Sequence, residues 1–282
     1  LPYIINVAII IAACLAFYKI LLRRETFYKL NRFLLITCLF IAFTLPLVKV
    51  PEEFSFNKNK KPSVEFVQSN GTIEQSEKKS LPVVSAPVTT SETEPSTPAT
   101  DFSFQQIWKW MVWIYWFGVI AFAFNFILQL VILIWKARRH PVIVDGKFRI
   151  VEIPGDKAPC SFANLIFINP EKYEWDTYNQ ILQHEKVHIR QKHTLDILLA
   201  EFILIFQWFN PFAWIYRSEI ENNLEYLTDE QITEKEQVEK TSYQLSLLKV
   251  SAPHFPLSVT TNYNQSILKK RIAMMNSKRS NI

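Results

Sequence analysis

Three long apolar runs dominate the first half of the chain, at residues 2–22, 33–48 and 107–135. None of them shows the polar face that recurs every three or four residues in helices of soluble proteins. A helix crosses the hydrocarbon core of a bilayer with roughly 20 predominantly apolar residues. Tryptophan is concentrated at the start of the third run and recurs near its end, as in the aromatic belts of membrane proteins. The pattern predicts three transmembrane helices.

Basic residues are concentrated between the first two runs and directly after the third, as in cytoplasmic loops of membrane proteins. They are Lys19, Arg23, Arg24, Lys29, Arg32, Lys136, Arg138 and Arg139. Because these charges follow the first run and no small-residue cleavage site is evident, that run is not predicted to be a cleaved signal peptide. Residues 51–104 are rich in Ser, Thr and Pro and cannot bury a core. We expect a flexible extracytoplasmic linker there, an external N-terminus, and a chain that begins inside after Lys136.

Beyond residue 140 the pattern changes to that of a small mixed domain. Residues 142–151 alternate around Asp145-Gly146, which predicts a β-hairpin with a tight turn. Residues 161–169 predict a further strand that ends at Pro170. Helical periodicity begins at Trp175. A sheet in front of a helix can hold an extended peptide as an added strand, although a plain supporting hairpin explains the pattern equally well.

Composition narrows the class of protein. The chain is 49% hydrophobic and 14% aromatic with four glycines, which excludes a disordered chain. The net charge of +5 comes mostly from the basic residues beside the apolar runs and indicates contact with a membrane surface rather than with nucleic acid. Cys14, Cys38 and Cys160 give no disulfide framework, and no base can be paired with Cys160 as a nucleophile.

The motif with the clearest chemistry is His184-Glu185-Lys186-Val187-His188. Two histidines four residues apart lie on one face of a helix, so both imidazoles can bind a single metal ion. The glutamate between them is placed to take a proton from a water molecule that the metal activates. The motif predicts the zinc site of a peptidase, with Zn²⁺ as cofactor and Glu185 as the general base.

A catalytic zinc site usually takes a third protein ligand. Residues 217–232 predict a helix on which Glu225 and Asp229 share a face. We favour Glu225 as the ligand, with Glu221 as its main competitor. Asp229 would then accept the free N–H of a zinc-bound histidine. Glu219 and Glu230 are better explained as ordinary solvent-exposed acidic residues than as ligands.

Residues 195–216 resemble a fourth membrane span, but geometry argues against a crossing. If this segment crossed, Glu225 would lie on the far side of the membrane from His184. We therefore expect a helical hairpin that dips into the membrane and turns at residues 208–211. Its arms differ in length by roughly 9 Å, so we predict a helix break near His193-Thr194, with Thr194 capping the new helix. His193 itself is expected at the surface or at a helix end, not as a ligand.

The order of these motifs resembles that of the BlaR/MecR-type membrane metallopeptidases. The resemblance rests on the three apolar runs, the His-Glu-x-x-His motif, Trp208-Phe209-Asn210-Pro211-Phe212 and Glu225-x-x-x-Asp229. The zinc-helix pattern is also similar to the CAAX prenyl protease group. The resemblance implies His184, His188 and Glu225 as zinc ligands, Glu185 as general base and Asp229 as support for a ligand.

Two departures from that family pattern matter. Family members usually continue into another span and an external sensor domain, so a truncated member is expected here, ending after a basic helix at 265–275. The S-x-x-K matches at Ser55, Ser76 and Ser266 lack accompanying S-D-N and K-T-G motifs. Beta-lactam sensing is therefore not expected.

Together these patterns predict a mainly α membrane protein: three transmembrane helices, a small α+β cytoplasmic zinc-peptidase module and a membrane-dipping helical hairpin. The expected divisions are two transmembrane helices with a basic cytoplasmic loop (1–50), the linker (51–104), the third transmembrane helix (105–136), the metallopeptidase module (137–252) and a C-terminal tail with a basic helix (253–282).

The leading functional hypothesis is a zinc-dependent endopeptidase in the inner membrane of a bacterium, with its catalytic module on the cytoplasmic side. The resemblance implies signal transduction by cleavage of the protein itself or of a cytoplasmic regulator such as a transcriptional repressor. Its partners would be a protein or peptide substrate and the lipid bilayer. One alternative is a non-catalytic transducer or scaffold whose metal site is structural and closed by a fourth ligand. Another is a quality-control protease for membrane proteins. Tyr216, Arg217 and Tyr226 are weak candidates for stabilising the transition state.

Overall fold

The computed structural model describes residues 2–48, 104–155, 157–236, 238–251 and 263–280. One compact unit comprises residues 1–48 and 109–282, and a second comprises residues 49–108. Nearly all of the predicted linker, including Ser55 and Ser76, lies outside the described residues.

The three apolar runs form long helices, as predicted. Their bounds are α1 (Pro2–Phe17), extended by a π-helical turn (Tyr18–Leu22), α2 (Tyr28–Thr44), extended by a 3-10 turn (Leu45–Leu47), and α3 (Phe104–Arg139). Within the described residues these are the helices long and apolar enough to cross a membrane. Many of their large apolar side chains face outward, for example Phe33 and Trp113. A surface of this kind is stable against lipid rather than water.

A four-stranded sheet follows α3. Its strands are β1 (Val142–Asp145), β2 (Phe148–Glu152), β3 (Cys160–Phe162) and β4 (Leu165–Ile168), in the order β1-β2-β4-β3. Strands β1 and β2 form the predicted antiparallel hairpin, in which Asp145 pairs with Phe148. The two turn residues are thus Gly146 and Lys147, one position later than the Asp-Gly pair. Strand β2 runs parallel to β4, and β3 runs antiparallel to β4 and forms an edge of the sheet.

The single strand predicted at 161–169 is wrong, because the segment folds back on itself as the β3–β4 hairpin. Its turn lies at Ala163-Asn164, and Ala163 has a φ of +53°. Alanine is an uncommon residue in that left-handed region. The turn is supported from elsewhere in the fold, since the backbone N–H of Ala163 donates to Thr194 Oγ1 at 3.0 Å.

Five α-helices follow the sheet in the described chain: α4 (Trp175–Arg190), α5 (His193–Phe206), α6 (Pro211–Glu230), α7 (Lys240–Ser251) and α8 (Tyr263–Met275). A 3-10 turn (Pro170–Lys172) precedes α4, and a π-helical turn (Gln231–Lys235) extends α6. The predicted helix break is present between α4 and α5, where Lys192 adopts a left-handed φ of +56°. The predicted cap is wrong. The N-cap position is Lys192, without a side-chain hydrogen bond, and Thr194 instead accepts from the β-turn.

Helices α5 and α6 form the predicted hairpin. Asn210 caps α6, since its side chain accepts a hydrogen bond from the backbone N–H of Phe212, and Pro211 occupies the first turn. Both features end one helix and start the next without an unsatisfied donor. The hairpin packs against α1 and α2 in one apolar core, which contains Val7, Ile11, Leu35, Leu39, Leu204, Ala213 and Ile220.

Polar contacts fix the hairpin along the length of α1. At its tip, Gln207 Nε2 donates to the carbonyl of Ile4 at 3.2 Å. At its other end, Glu219 lies 3.9 Å from Lys19 Nζ and 3.8 Å from Arg23 Nε. The hairpin therefore runs beside α1 over most of its length.

Helix α3 approaches the hairpin at Gly118. A Cβ atom added there would lie 2.2 Å from the Trp208 ring, so only glycine allows this approach. The Trp208 indole also donates to the carbonyl of Tyr115 at 3.3 Å. Glycine is thus required by packing at this position, not by backbone conformation.

Helices α7 and α8 cover the far side of α4. A second apolar core joins Val187 of α4, Tyr243 and Leu247 of α7, and Leu268 of α8. Helix α8, which the predicted division assigned to a C-terminal tail, also packs against α6. Helix α8 therefore packs in the same unit as α4, the helix that carries His184 and His188.

Candidate metal centre

Helix α4 places His184 and His188 one turn apart on its buried side. The helix is amphipathic, and its apolar residues Ile181 and Val187 are buried against the sheet and against α7 and α8. The two imidazoles point to one place, with their Nε2 atoms 3.0 Å apart. His184 is 7% exposed.

Glu225 on α6 completes the group. Its Oε2 lies 3.4 Å from His184 Nε2, and its Oε1 lies 3.4 Å from His188 Nε2. The α5–α6 hairpin brings this carboxylate back to α4. This agrees with the prediction that the segment returns to the side on which His184 lies. One ligand atom from each of the three residues falls within 4.8 Å of the others.

These separations fit a bound metal ion. Ligand atoms at tetrahedral zinc, each about 2.0–2.2 Å from the ion, lie about 3.3–3.6 Å from one another. The two Nε2 atoms are 3.0 Å apart, and each lies 3.4 Å from a different oxygen of Glu225, so the separations are close to that range. Two imidazoles and a carboxylate are also a donor set that catalytic zinc takes, leaving a position for water. His184, His188 and Glu225 could therefore hold such an ion.

The proton on His184 is fixed by a tyrosine. His184 Nδ1 lies 2.7 Å from the Tyr243 hydroxyl, which donates to Asp229 Oδ1 at 2.8 Å. Because the hydroxyl proton goes to Asp229, the hydroxyl accepts from His184 Nδ1–H. That leaves the Nε2 lone pair free to face the centre.

The prediction that Asp229 accepts directly from a histidine is therefore wrong in its geometry. Asp229 Oδ1 is 3.9 Å from His184 Nδ1, too far for a hydrogen bond. Asp229 acts through Tyr243 instead. Burial raises the pKa of Tyr243 well above its usual range, and Asp229 adds to that effect, so the phenol stays protonated.

His188 is held by a second chain of hydrogen bonds. Its Nδ1 lies 2.9 Å from His193 Nδ1, and His193 Nε2 lies 3.3 Å from Gln191 Oε1. Gln191 in turn donates from Nε2 to Gln231 Oε1 at 2.8 Å. With Nε2–H of His193 given to Gln191, His193 Nδ1 accepts from His188. Both ligand imidazoles thus present an Nε2 lone pair.

The expectation that His193 lies at the surface is wrong, although it does begin a helix. His193 is 2% exposed. Burial, followed by the charge of His188, lowers the pKa of His193 to about 2, so the ring is neutral. The helix break explains the difference. A continuous helix would turn His193 away from His188, but the left-handed Lys192 redirects it.

Arg271 on α8 pairs with both carboxylates of α6. Its Nη1 lies 2.8 Å from Glu225 Oε2, and its Nε and Nη2 donate to Asp229 at 2.9 and 2.6 Å. Burial alone would raise the pKa of Glu225, but the charge of Arg271 and then of the histidines holds that pKa well below its usual range. The sequence predicted a basic helix here but did not distinguish Arg271 from Lys269 and Lys270.

Glu185 lies beside the cluster, next to strand β3. It is 7% exposed, and Ser161 on β3 is within hydrogen-bonding reach of its carboxylate. Burial raises the pKa of Glu185 against the opposing effects of His188 and Ser161. A carboxylate whose pKa is moved towards neutrality is better suited to exchange protons with a substrate.

A cavity of about 540 Å³ opens in front of these residues. Strand β3 borders it on one side, through Cys160 and Phe162, and α7 and α8 border it on the other. His184, Glu185, His188 and Glu225 form part of its wall. Its volume falls in the range of pockets that enclose small ligands or short peptide segments.

Residues 157–275 match the family model of the BlaR1 peptidase M56. This match confirms the resemblance to the BlaR/MecR-type peptidases. It covers less than half of the chain, from just before β3 to the end of α8, and includes every residue of the cluster. The match supports a peptidase of a metal-dependent class. No curated protein matches the chain.

The alternative ligand and the candidates for transition-state stabilisation make contacts outside the metal centre. Glu221, the competitor of Glu225, is paired with Arg217 at 2.9 Å. Tyr216 donates from its buried hydroxyl to the carbonyl of Leu35 at 2.8 Å. Tyr226 packs on the ring of Tyr28. Neither Glu221 nor the three candidates for transition-state stabilisation, Tyr216, Arg217 and Tyr226, contribute an atom to the described cluster.

Proposed function

We propose that this protein is a membrane-embedded zinc endopeptidase with His184, His188 and Glu225 as metal ligands and Glu185 as general base. One observation carries the proposal: two imidazoles with fixed tautomers and a carboxylate converge beside a buried glutamate, at the wall of a peptide-sized cavity. The family match over the same residues supports it.

The chemistry follows from the positions of the side chains. A zinc ion held by the three ligands supplies Lewis acidity, which polarises a carbonyl and makes water acidic enough to attack at neutral pH. Glu185 accepts the proton of the attacking water and passes it to the leaving amide nitrogen. Tyr243 and His193 keep both imidazoles in the metal-binding tautomer throughout.

Strand β3 is the proposed site for the substrate backbone. One side of β3 pairs with β4, and its other side is an edge of the sheet. Its residues Cys160 and Phe162 border the cavity next to Glu185. A substrate that adds to this edge as an extra strand would be extended, with its carbonyl groups presented to the metal centre.

The membrane arrangement is also part of the proposal. From Ile4 to Lys19 the axis of α1 rises about 22 Å, and the hairpin runs beside it over that distance. The hydrocarbon core is about 30 Å thick, so the hairpin dips most of the way into it. Basic residues Lys19, Arg23 and Arg32 contact the end of the hairpin that carries the metal centre. Together with the positive-inside rule, these basic residues support a centre on the cytoplasmic side of a bacterial inner membrane.

The proposal also includes a role in signal transduction. A peptidase with its centre at the inner face of the membrane can reach its own cytoplasmic segments or a cytoplasmic regulator, such as a transcriptional repressor. A structural metal site, the alternative, would need a fourth protein ligand. Among the described residues the cluster has three such members, which favours catalysis.

The decisive experiment compares Glu185→Gln with Glu221→Gln in the full chain purified in detergent. Both substitutions remove one carboxylate near the same cavity, but only Glu185 has a proposed role in proton transfer. We expect Glu185→Gln to retain one zinc ion per chain and to lose at least about 100-fold in peptide cleavage. Glu221→Gln should keep both properties.

Wild-type cleavage by Glu185→Gln would refute the proposed mechanism. A wild-type chain that holds zinc tightly but cleaves neither itself nor a peptide library, at a rate above that of Glu185→Gln, would favour the structural alternative.

A further inference from the structure

All three nitrogens of the Arg271 guanidinium are engaged by the groups around the metal cluster. Nη1 contacts Glu225 Oε2, Nε contacts Asp229 Oδ2, and Nη2 contacts Asp229 Oδ1, at 2.8, 2.9 and 2.6 Å. Nη2 also lies 3.4 Å from the Tyr243 hydroxyl. One rigid fork therefore joins the third ligand to the pair of residues that orients His184.

The contact from Arg271 fixes one oxygen of Glu225. Oε2 contacts Arg271 Nη1 and also lies 3.4 Å from His184 Nε2, while Oε1 lies 3.4 Å from His188 Nε2. A carboxylate held in this way cannot turn towards solvent, so both of its oxygens stay beside the two histidines. The planar fork is suited to this task, because it also fixes its own orientation against Asp229.

Helix α8 is fixed on the body of the protein, so the position of Arg271 is fixed with it. Leu268 packs in the core formed with Val187 and Leu247. Beyond the end of the helix, Thr26 and Ser280 exchange two hydrogen bonds, at 3.0 and 2.9 Å, which connect α8 to the loop between the first two apolar helices. These contacts hold the Arg271 guanidinium beside Glu225, although the two residues lie about 46 positions apart in the sequence.

We propose that Arg271 is a positioning residue that holds the Glu225 carboxylate against His184 and His188 and thereby sets the affinity of the centre for its metal ion. This inference rests on the proposed metal-binding function. It goes beyond that function because Arg271 is not itself a ligand and takes no part in proton transfer.

A positioning role for Arg271 and a purely electrostatic role predict opposite changes in metal affinity when Arg271 is removed. A cation beside the centre repels a metal ion, so if charge alone mattered, removing Arg271 would tighten metal binding. If Arg271 orients Glu225, removing it would weaken metal binding, as loss of a residue that orients a ligand typically does by about 10- to 100-fold.

The experiment measures Zn²⁺ and Co²⁺ affinity by chelator competition in the purified full chain, well below its melting temperature. Arg271→Gln is compared with Lys269→Gln, which removes the same charge from the exposed face of the same helix. We expect a fall of about 10- to 100-fold for Arg271→Gln and no change for Lys269→Gln. The visible spectrum of the Co²⁺ form should also change in Arg271→Gln, since Glu225 then loses the contact that orients its carboxylate.

Arg271→Lys provides a second variant if Arg271→Gln does not fold. It keeps the charge, but a single ammonium group cannot contact both carboxylates in the geometry of the fork. We expect an affinity between those of the wild type and Arg271→Gln, with an altered Co²⁺ spectrum. Wild-type affinity and spectrum in a folded Arg271→Gln or Arg271→Lys variant, or tighter binding in Arg271→Gln, would overturn the inference.

Failure of the underlying function would look different. If the wild-type chain bound no metal, or bound it equally well after His184→Ala, the metal centre itself would be refuted. If the wild type binds metal through His184 and only Arg271 proves indifferent, the centre stands and the role of Arg271 is refuted.

Discussion

Tyr243→Phe is the most direct test of how the centre is organised. The substitution removes one oxygen atom and keeps the ring that packs against Val187 and Leu247. It deletes the acceptor of His184 Nδ1–H and the donor to Asp229 Oδ1. Asp229 cannot replace the acceptor without movement, since its oxygen is 3.9 Å from the imidazole nitrogen.

The expected loss can be worked from these contacts. A hydrogen bond between neutral groups contributes about 0.5–1.5 kcal/mol to stability, and one to a charged group about 1.5–3 kcal/mol. Asp229 keeps both bonds from Arg271, which reduces its share of the loss. We expect the free energy of unfolding of the metal-free protein to fall by about 2–3 kcal/mol. Because His184 loses its orientation, zinc affinity should fall by about 10- to 100-fold.

Tyr216→Phe is the matched control. Tyr216 and Tyr243 are 2% and 1% exposed, and each hydroxyl is hydrogen-bonded. Tyr216 donates to the carbonyl of Leu35, away from the metal centre. Its loss should cost about 1 kcal/mol of stability and leave zinc affinity unchanged.

The assay is zinc affinity by chelator competition, together with thermal unfolding of the metal-free and zinc-loaded protein in detergent. If Tyr243→Phe bound zinc as tightly as Tyr216→Phe, the hydroxyl would have no part in orienting His184. The tautomer assigned to that imidazole would then be wrong.

Three further predictions follow from particular contacts. His193→Ala should weaken zinc binding by about tenfold because His188 loses its acceptor, yet one zinc ion should still bind at saturation. A loss of stoichiometric binding would instead make His193 a ligand. Gly118→Ala should destabilise the protein by about 1–3 kcal/mol in thermal unfolding through its clash with Trp208, and a penalty that persisted in a Trp208→Leu background would argue against that clash. Lys192→Gly should raise the melting temperature by about 1–3 °C by relieving the left-handed backbone, whereas Lys192→Ala should not.

The apolar helices and the HExxH helix could be predicted because their signals are local. Uninterrupted hydrophobic runs and a histidine spacing of four depend on the geometry of one helix, whatever surrounds it. The hairpin between α4 and Glu225 was also predictable, since a shared ion restricts how the chain can return. The same reasoning placed the helix break within two residues of its position.

Predictions failed where a distant contact decides a local choice. Residues 161–169 read as one strand, because nothing in them signals a turn at Ala163. The turn is stabilised by Thr194, more than 30 residues away. Thr194 was accordingly unavailable as the helix cap. A regular helix would direct His193 away from the metal centre, but the left-handed Lys192 interrupts that helix and turns His193 inward.

The amino-acid sequence alone determined that this protein has three apolar helices long enough to cross a membrane and a helix with a pair of histidines and a glutamate suited to zinc. Spacing on one helix face also favoured Glu225 as the acid that joins that pair. Only the tertiary structure decided which tyrosine, third histidine and arginine surround these three residues. Ten tyrosines, five histidines and thirty-one lysines and arginines offer many equivalent candidates, and their spacing along the chain carries no trace of which ones meet. The selection of Tyr243, His193 and Arg271 depends on distances between helices, which are set by packing of the whole fold.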